Sequence, residues 1–333
     1  MISSTGEIIM RLSTANSLRL TQASTLEVNF GGSEMNVLIG LSLMGHQTRF
    51  LSRLSESPLG EAATRKLKAY GIDSSYVFNG PERMPVYYLE PAAGIRGGNI
   101  TYDRKHGSYN FLNPDDVNWD AFYEGVEWFH WSGITPGLSQ SAATLCMACI
   151  DEASHRGITV SCDLHFRKNL WDYGKSPQEF IPDMLSKTDY LVGSPIGIMQ
   201  MTGDKNIPSG HLSEHEVFDA FAHIRSKFQN LKATAMLSRN IQSASNQELQ
   251  GLMVSDKGYT AAPVTVEHVT DRIGGGDAFM AGFIHGWKTG MTPSETIDFA
   301  TVTAAYKHTI SGDHLEGSIT DFLSIKTKGE INR

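Results

Sequence analysis

From residue 113 onward, strand-like and helix-like segments alternate along this 333-residue chain, and this alternation is the feature that most constrains its fold. Short apolar segments such as "VEWFHWS" and "ITVSCD" are typical of buried strands, and longer amphipathic segments typical of helices follow them. Parallel strands need crossover connections of this kind, which are nearly always right-handed. The pattern therefore predicts an α/β fold with a central, mainly parallel sheet, whose ligands bind at the carboxyl ends of the strands.

Residues 84–111 depart from this alternation. Aromatic and polar side chains alternate there around the glycine-rich "AAGIRGG", which is typical of a hairpin or a small antiparallel sheet. The opening "GEIIMRLS" also has strand character. Because no repeat or linker divides the chain, we expect one domain over residues 1–333, with residues 84–111 and part of 10–31 forming a small inserted β lid.

The composition excludes several classes of partner. A formal net charge of −8, from 28 basic and 36 acidic residues, works against binding to nucleic acid or to an anionic membrane surface. Apolar runs are far shorter than the ~20 residues that span a bilayer, and no basic leader precedes an apolar segment at the start. With only three cysteines, these features predict a cytoplasmic protein.

The spacing "CMAC" at residues 146–149 resembles half of a zinc site. The chain has no second pair of cysteines, and in a helix this spacing puts both thiols on one apolar face. We therefore expect Cys146 and Cys149 to pack as small hydrophobic residues, and we predict no metal site formed by protein side chains alone.

Three consecutive glycines precede Asp277 in the segment "DRIGGGDAFMAGF", residues 271–283. The segment fits neither G-x-x-x-x-G-K-[ST] nor G-x-G-x-x-G, the loops that bind mononucleotides and dinucleotides. Phe279, Phe283 and Trp287 recur every four residues, which predicts a helix from about Asp277 with one apolar stripe. The free N–H groups of its first turn and the helix dipole would form an anion site, so we expect a phosphate there.

Asp277 would then lie beside a phosphoryl group during its transfer. A carboxylate at that place can accept the proton of an attacking hydroxyl while the loop amides stabilise the moving charge. The helix terminus is expected to lower its pKa, so that it acts through its position rather than its basicity. The alternative is that Asp277 only caps the helix, but capping does not explain three preceding glycines.

These residues resemble a known family. "DRIGGGDAFMAGF" and "FGGSEMNVLIGLSLMG" resemble the two glycine-rich motifs of the ribokinase-like (PfkB) carbohydrate kinases, and within that family the similarity is greatest to kinases of 2-keto-3-deoxygluconate. Further similar blocks occur in the same order along nearly the whole chain, namely "STGEIIMRLS", "RLSESPLG", "ITYDRKHGSYN", "WFHWSGITPGLS", "CDLHFRKNLW" and "AAYKHTISGD".

The resemblance implies a ribokinase-like three-layer α/β/α sandwich that uses ATP and Mg²⁺ to phosphorylate the terminal hydroxyl of 2-keto-3-deoxygluconate. The resemblance does not decide whether a monovalent cation activates the enzyme. Asp277 would be the catalytic base, and Gly274, Gly275 and Gly276 would form the anion hole. The implied substrate contacts are Gly32, Asn36, Tyr88, Tyr102, Arg104, Arg167 and Asp313, and the implied nucleotide contacts are Ser238, Arg239, Gly274 and Gly276.

The chemistry of a sugar acid supports two of these assignments independently. A carboxylate is best held by a planar, permanently charged guanidinium, which Arg104 and Arg167 provide in predicted loops. The alternative for Arg167 is a surface salt bridge. The tyrosines of the lid can also pack the hairpin alone, because strand alternation turns only some of them toward a ligand.

The chain departs from the family pattern at two places. Ser194 and Gly197 occupy the positions of an N-x-x-E motif that helps to organise magnesium and phosphates, and His165 replaces a customary asparagine. Two alternatives therefore stay open: a kinase of fructose or of another keto-sugar acid, and a sugar-acid binding protein with little kinase activity. Because lid sheets of two subunits often pair in this family, we also expect a homodimer or a larger homo-oligomer.

Overall fold

A computed structural model describes residues 1–167 and 169–325. Its strands are β1 Ile2–Thr5, β2 Ile9–Ser13, β3 Glu27–Gly31, β4 Thr48–Ser55, β5 Asp73–Gly80, β6 Val86–Glu90, β7 Asn99–Asp103, β8 Trp128–Ser132, β9 Thr159–Asp163, β10 Tyr190–Val192, β11 Ala233–Ile241, β12 Gln247–Val254, β13 Gly258–Thr260 and β14 Val264–Val266. Its helices are α1 Ser33–Leu43, α2 Pro58–Ala69, α3 Trp119–Phe122, α4 Gln140–His155, α5 Ile181–Leu185, α6 Pro195–Met201, α7 Glu214–Lys227, α8 Gly275–Lys288, α9 Pro293–Lys307 and α10 Ile319–Ser324.

The large sheet has the strand order β13-β12-β11-β10-β9-β8-β1-β4-β5, with β14 paired to β12. Every neighbouring pair from β11 to β5 is parallel. The pairs made by β12 are antiparallel and close the other edge. The predicted α/β fold with a mainly parallel sheet is confirmed.

Helices cover both faces of this sheet, which gives three layers. One apolar cluster packs α1, α8 and α9 on one face of the sheet. A second packs α4, α5, α6 and α7 on the opposite face. Cys146 and Cys149 lie fully buried in the second cluster as free thiols. Within the described residues, no helix combines the length and the hydropathy needed to cross a membrane.

The opening of the chain differs from its prediction. The sequence suggested one strand in "GEIIMRLS", which is β2 of the small sheet, whereas the structure has a further strand before this segment, β1 in the large sheet. β1 was missed because "ISST" is largely polar, yet it lies between β4 and β8 and is buried throughout. The hydroxyls of Ser4 and Thr5 donate to carbonyl oxygens of the neighbouring strands, which allows polar residues in the core.

The small sheet has the order β3-β2-β6-β7, and its strands come from the two ranges that the sequence assigned to the lid. β2 pairs parallel with β6 and antiparallel with β3, while β7 is antiparallel to β6. Tyr88 and Met10 pack with the main core, whereas Tyr87 and Ile9 lie on the other face with Ile273. That second face looks toward the glycine-rich end of α8.

Helix α8 positions the site because it packs closely on α1 and α9. A Cβ on Gly282 would lie 2.9 Å from Cα of Ala300, and one on Gly286 would lie 2.8 Å from the side chain of Thr296. Phe279 and Phe283 are fully buried, as the four-residue period predicts. The absence of side chains at the two glycines therefore allows the helix to approach its neighbours and to direct its first turn toward the ends of the strands.

Candidate active site

A cavity of about 510 Å³ lies between the carboxyl ends of the parallel strands and the inner face of the small sheet. This volume suits a small organic ligand. Asp277, Gly274 and Gly276 line it from α8, and Gly32 lines it from the start of α1. The position agrees with the expectation that ligands of an α/β sheet bind at the strand ends.

The glycines at the start of α8 are required by their surroundings. Gly274 has a left-handed backbone with φ 78°, and a Cβ on it would overlap the carbonyl oxygen of Asp313. A Cβ on Gly275 would overlap the ring of His308. The helix begins at Gly275, two residues earlier than predicted, so the N–H groups of Gly276 and Asp277 lie in its first turn and have no acceptor in the described chain.

Buried charges hold this helix tip in place. Arg11 of β2 donates to Asp271, at 2.6 Å, and to Asp313, at 2.6 Å. The ammonium group of Lys307 donates to the carbonyl oxygens of Ile310, at 3.0 Å, and of Asp271, at 3.4 Å. These contacts tie the loop before α8 to the small sheet and to the loop after α9.

The carboxylate of Asp277 is oriented by two side chains of α1. Its Oδ1 accepts a hydrogen bond from Oγ of Ser33, at 2.9 Å, and its Oδ2 accepts one from Nδ2 of Asn36, at 2.7 Å. A hydroxyl and an amide hold the carboxylate without delivering a counter-charge. The sequence pointed to Asn36 as a sugar contact and did not single out Ser33.

The expected pKa of Asp277 was wrong in direction. Burial raises the pKa of this carboxyl to about 6, and the nearby carboxylate of Asp163 adds to the effect. The hydrogen bonds from Asn36 and Ser33 lower the pKa only in part. A carboxylate with a pKa nearer neutrality is a better proton acceptor than the sequence suggested.

Strand register decides which lid tyrosine faces the cavity. Tyr87 and Tyr102 line it, and their rings lie 5.8 Å apart as a cross-strand pair. Tyr88, which the sequence selected, packs with the main core and is not among the cavity-lining residues that the structure describes. The assignment of Tyr88 is corrected to Tyr87 because side chains alternate along β6.

Arg104 is less available than predicted. Its guanidinium lines the cavity but donates to the buried carboxylate of Glu7, at 2.6 Å, and lies over the ring of Tyr102. Burial raises the pKa of Glu7, which the charge of Arg104 opposes. The positive charge of Arg104 is thus largely matched by Glu7 within the protein, and the assignment of this arginine to the substrate's acid end stays a prediction.

Asp313 is also committed to the protein. Besides Arg11, the hydroxyl of Tyr87 donates to Oδ2 of Asp313, at 2.7 Å. The same carboxylate lies where a side chain on Gly31 would be. Asp313 borders the cavity, but its main role in the structure is to join the small sheet to the loop after α9.

Arg167, Arg239 and Arg272 line the cavity, and within the described chain none of them forms an ion pair or a side-chain hydrogen bond. Burial and the charge of Arg272 lower the pKa of Arg239. The cluster therefore favours an anionic ligand. The sequence did not identify Arg272, although its place two residues before the glycines was a signal that could have found it.

Ser238 does not join this cluster. It precedes Arg239 on β11, so the alternation of the strand turns the two side chains to opposite faces of the sheet. Arg239 lies beside the helix tip, with Nη2 3.8 Å from the position of a Cβ on Gly276, whereas Ser238 is outside the cavity lining. Of the predicted nucleotide contacts, Arg239, Gly274 and Gly276 thus line the cavity and Ser238 does not.

Ser194 and Gly197 lie at the start of α6, and Ser194 makes no capping hydrogen bond through its side chain. No asparagine or glutamate occupies these positions to assist a metal ion. Within the described residues, no group of three or more His, Cys, Asp or Glu side chains could hold a metal by itself.

The α/β fold, the glycine-opened helix with the carboxylate of Asp277 and the unpaired arginines are the features expected of a phosphotransferase that acts on a small molecule. The pfkB family of carbohydrate kinases matches residues 1–315, and the chain belongs to this family. It is a kinase that transfers a phosphoryl group to a sugar hydroxyl.

Relatives of several kinds cover nearly the whole chain. A 2-dehydro-3-deoxygalactonokinase of Haloferax volcanii is 27% identical over 98% of this chain and 94% of its own. A 2-dehydro-3-deoxygluconokinase of Bacillus subtilis is 23% identical over 88% of this chain and 85% of its own. The crystal structure of a 2-dehydro-3-deoxygluconokinase from Thermotoga maritima is 28% identical, with a TM-score of 0.92 over 98% of this chain and 99% of that one.

Proposed function

We propose that this kinase uses ATP to phosphorylate 2-keto-3-deoxygluconate, also named 2-dehydro-3-deoxygluconate, and releases ADP and the 6-phosphate. The observation that carries the proposal is Arg167. Its exposed guanidinium lines the same cavity as Asp277 and pairs with no carboxylate of the described chain. A neutral sugar would leave this charge unmatched, whereas a sugar acid supplies its counter-charge.

The other two unpaired arginines suit the phosphates of ATP. Arg239 lies beside Gly276, and Arg272 belongs to the loop that leads into the helix tip. Together with the free N–H groups of that tip they supply the donors that a triphosphate needs. Because the described side chains form no metal-binding group of their own, Mg²⁺ would reach the site on the oxygens of the phosphates.

Asp277 performs the proton transfer in this proposal. Its carboxylate, held by Ser33 and Asn36, accepts the proton of the terminal hydroxyl as that oxygen attacks the γ-phosphorus. Mg²⁺, when bound, neutralises the charge on the phosphate oxygens. The helix tip stabilises the charge that develops on the transferred group.

The test is an assay that couples ADP release to NADH oxidation over a panel of acceptors. The panel contains 2-keto-3-deoxygluconate, 2-keto-3-deoxygalactonate, gluconate and fructose, and the Asp277→Asn variant serves as the control for contaminating kinases. Turnover of the deoxy-keto acids with little on fructose supports the proposal. Turnover of fructose alone would overturn it, and acid binding by calorimetry without turnover would favour the binding-protein alternative.

A second candidate acceptor is 2-keto-3-deoxygalactonate, which differs from the first in the configuration of one hydroxyl. It is favoured by the relative from Haloferax volcanii, which is a kinase of that acid and aligns with 98% of this chain. The ratio of kcat/KM for the two acids decides between them.

A further inference from the structure

Asp163 ends β9 beneath the cavity and is fully buried. Within the described chain, neither of its carboxylate oxygens receives a well-oriented hydrogen bond. The ring of His165 lies beside it, with Nδ1 3.1 Å from Oδ1 of Asp163. A buried carboxylate without hydrogen bonds requires a counter-charge, and His165 is placed to provide it.

The other edge of the same ring faces the helix tip. A Cβ on Gly276 would lie 3.2 Å from Cε1 and 3.4 Å from Nε2 of His165. Nε2 makes no hydrogen bond within the described chain, and His165 lines the cavity. The imidazole thus bridges a buried carboxylate and the place where the free N–H groups of Gly276 and Asp277 would receive a phosphate.

We propose that His165 is a catalytic residue of this kinase, donating a hydrogen bond from Nε2 to an oxygen of the phosphoryl group in transfer, and that Asp163 is its positioning partner. This inference rests on phosphoryl transfer in the cavity and not on which sugar acid is the acceptor. An asparagine at this position could donate a hydrogen bond but carries no charge, so the histidine adds a cation to the site.

His165 is unchanged by the chemical step. The acceptor oxygen forms a bond to the γ-phosphorus of ATP while the bond from that phosphorus to the bridging oxygen breaks. The hydroxyl proton passes to Asp277, and ADP leaves with the electron pair of the broken bond. His165 keeps its proton and lowers the energy of the charged transition state.

The charges around the ring favour its protonated form. Asp163 on β9 and Asp277 on α8 raise the pKa of His165, with Asp163 the larger cause, while burial and Arg167 oppose the shift. Arg239 on β11 is a further cation beside this part of the tip. As the pH increases, turnover should therefore first rise in the acidic range, where Asp277 loses its proton. It should then fall in the alkaline range, where His165 loses its proton.

The kinetic test compares His165→Asn, His165→Gln and His165→Ala, with exposed His211→Asn as the matched control. We expect kcat to fall about 10-fold in the amide variants and roughly 100-fold in the alanine variant. The amide variants should also lose the alkaline decline of kcat and keep the acidic one. An alkaline decline unchanged in His165→Asn, or an unchanged kcat, would overturn the proposal.

A second measurement does not depend on turnover. A ring-proton NMR signal of His165 can be assigned because it is absent from the spectrum of His165→Asn. This signal should report a pKa above the usual histidine value of about 6.5. The Asp163→Asn substitution should lower that pKa. Titration below the usual value in the wild-type protein contradicts the pair. An increased Mg²⁺ requirement in Asp163→Asn with none in His165→Asn would assign Asp163 to the metal and also overturn it. If no acceptor in the panel is phosphorylated but His165 still titrates above about 6.5, the proposed substrate is wrong and the pairing of His165 with Asp163 is retained.

Discussion

Nδ2 of Asn36 lies 2.7 Å from Oδ2 of Asp277, so two helices whose residues are 241 positions apart in sequence meet at one carboxylate. The contact fixes the direction of the carboxylate because Oδ1 is held at the same time by Ser33. Asp277 is therefore aimed into the cavity rather than capping its own helix. This arrangement is what general base catalysis requires.

Replacing Asp277 by Asn should remove proton acceptance while keeping the shape of the site. We expect kcat to fall by roughly 10²- to 10⁴-fold with little change in ATP binding, as measured by the coupled assay and by calorimetry. The exposed Asp115→Asn variant is the matched control. A kcat close to the wild-type value would exclude Asp277 as the base.

Arg167→Leu tests the recognition of the acid. The loss of one charged hydrogen-bonding partner should lower kcat/KM for 2-keto-3-deoxygluconate by about 10- to 100-fold, while the KM for ATP stays nearly constant. Exposed Arg65 on α2, replaced by Leu, controls for the loss of charge. Equal losses for the acid and for ATP would show that Arg167 serves the nucleotide instead.

The Glu34→Gln variant tests whether burial of the Glu34 carboxyl lowers the free energy of unfolding as the pH rises. Burial raises the pKa of the Glu34 carboxyl to about 7, although the hydroxyls of Ser132 and Thr135 donate to it. The unfolded chain loses this proton at a lower pH than the folded one, so Glu34 reduces stability as the pH rises from about 4.5 to 7, by roughly 2–3 kcal/mol. Urea unfolding at pH 5 and pH 8 should show a smaller loss in Glu34→Gln than in the wild type or in exposed Glu124→Gln; equal losses would contradict this account.

Arg11→Met tests the link between the small sheet and the helix tip. Removal of this guanidinium leaves the carboxylates of Asp271 and Asp313 buried side by side, which should cost about 3–5 kcal/mol of unfolding free energy. Denaturant unfolding measures the loss. The control is Arg83→Met, because the pair of Arg83 with Asp103 is exposed and should contribute little. A similar small effect for both variants would mean that the buried network does not stabilise the fold.

The small sheet leaves β3 and β7 as edge strands, and Val28 on β3 is 55% exposed. We expect these edges to be covered by a second copy of the chain, since exposed edges otherwise promote aggregation. Light scattering coupled to gel filtration should show a homodimer that Val28→Lys weakens, whereas Leu59→Lys on α2 leaves it intact. A monomeric wild-type protein at micromolar concentration would refute the expectation.

Much of the fold followed from local patterns. The helix at α2 was predictable because Ser57 caps it and Pro58 opens it, and α8 was predictable from the spacing of Phe279 and Phe283. β1 was not, since its hydroxyls are satisfied only by strands that are distant in sequence. The cytoplasmic location and the small sheet's role as a lid stay predictions.

The sequence by itself determined the alternation that makes a parallel sheet and the glycine run that opens α8 beside Asp277, because both depend on neighbours within a few residues. Only the tertiary structure decided that Tyr87 rather than Tyr88 faces the cavity, that Glu7 neutralises Arg104 and that the pKa of Asp277 rises. The physical reason is that strand register, ion pairing and burial are set by contacts between residues far apart in the chain. A sequence pattern can name the groups of a site, but packing sets their charge and direction.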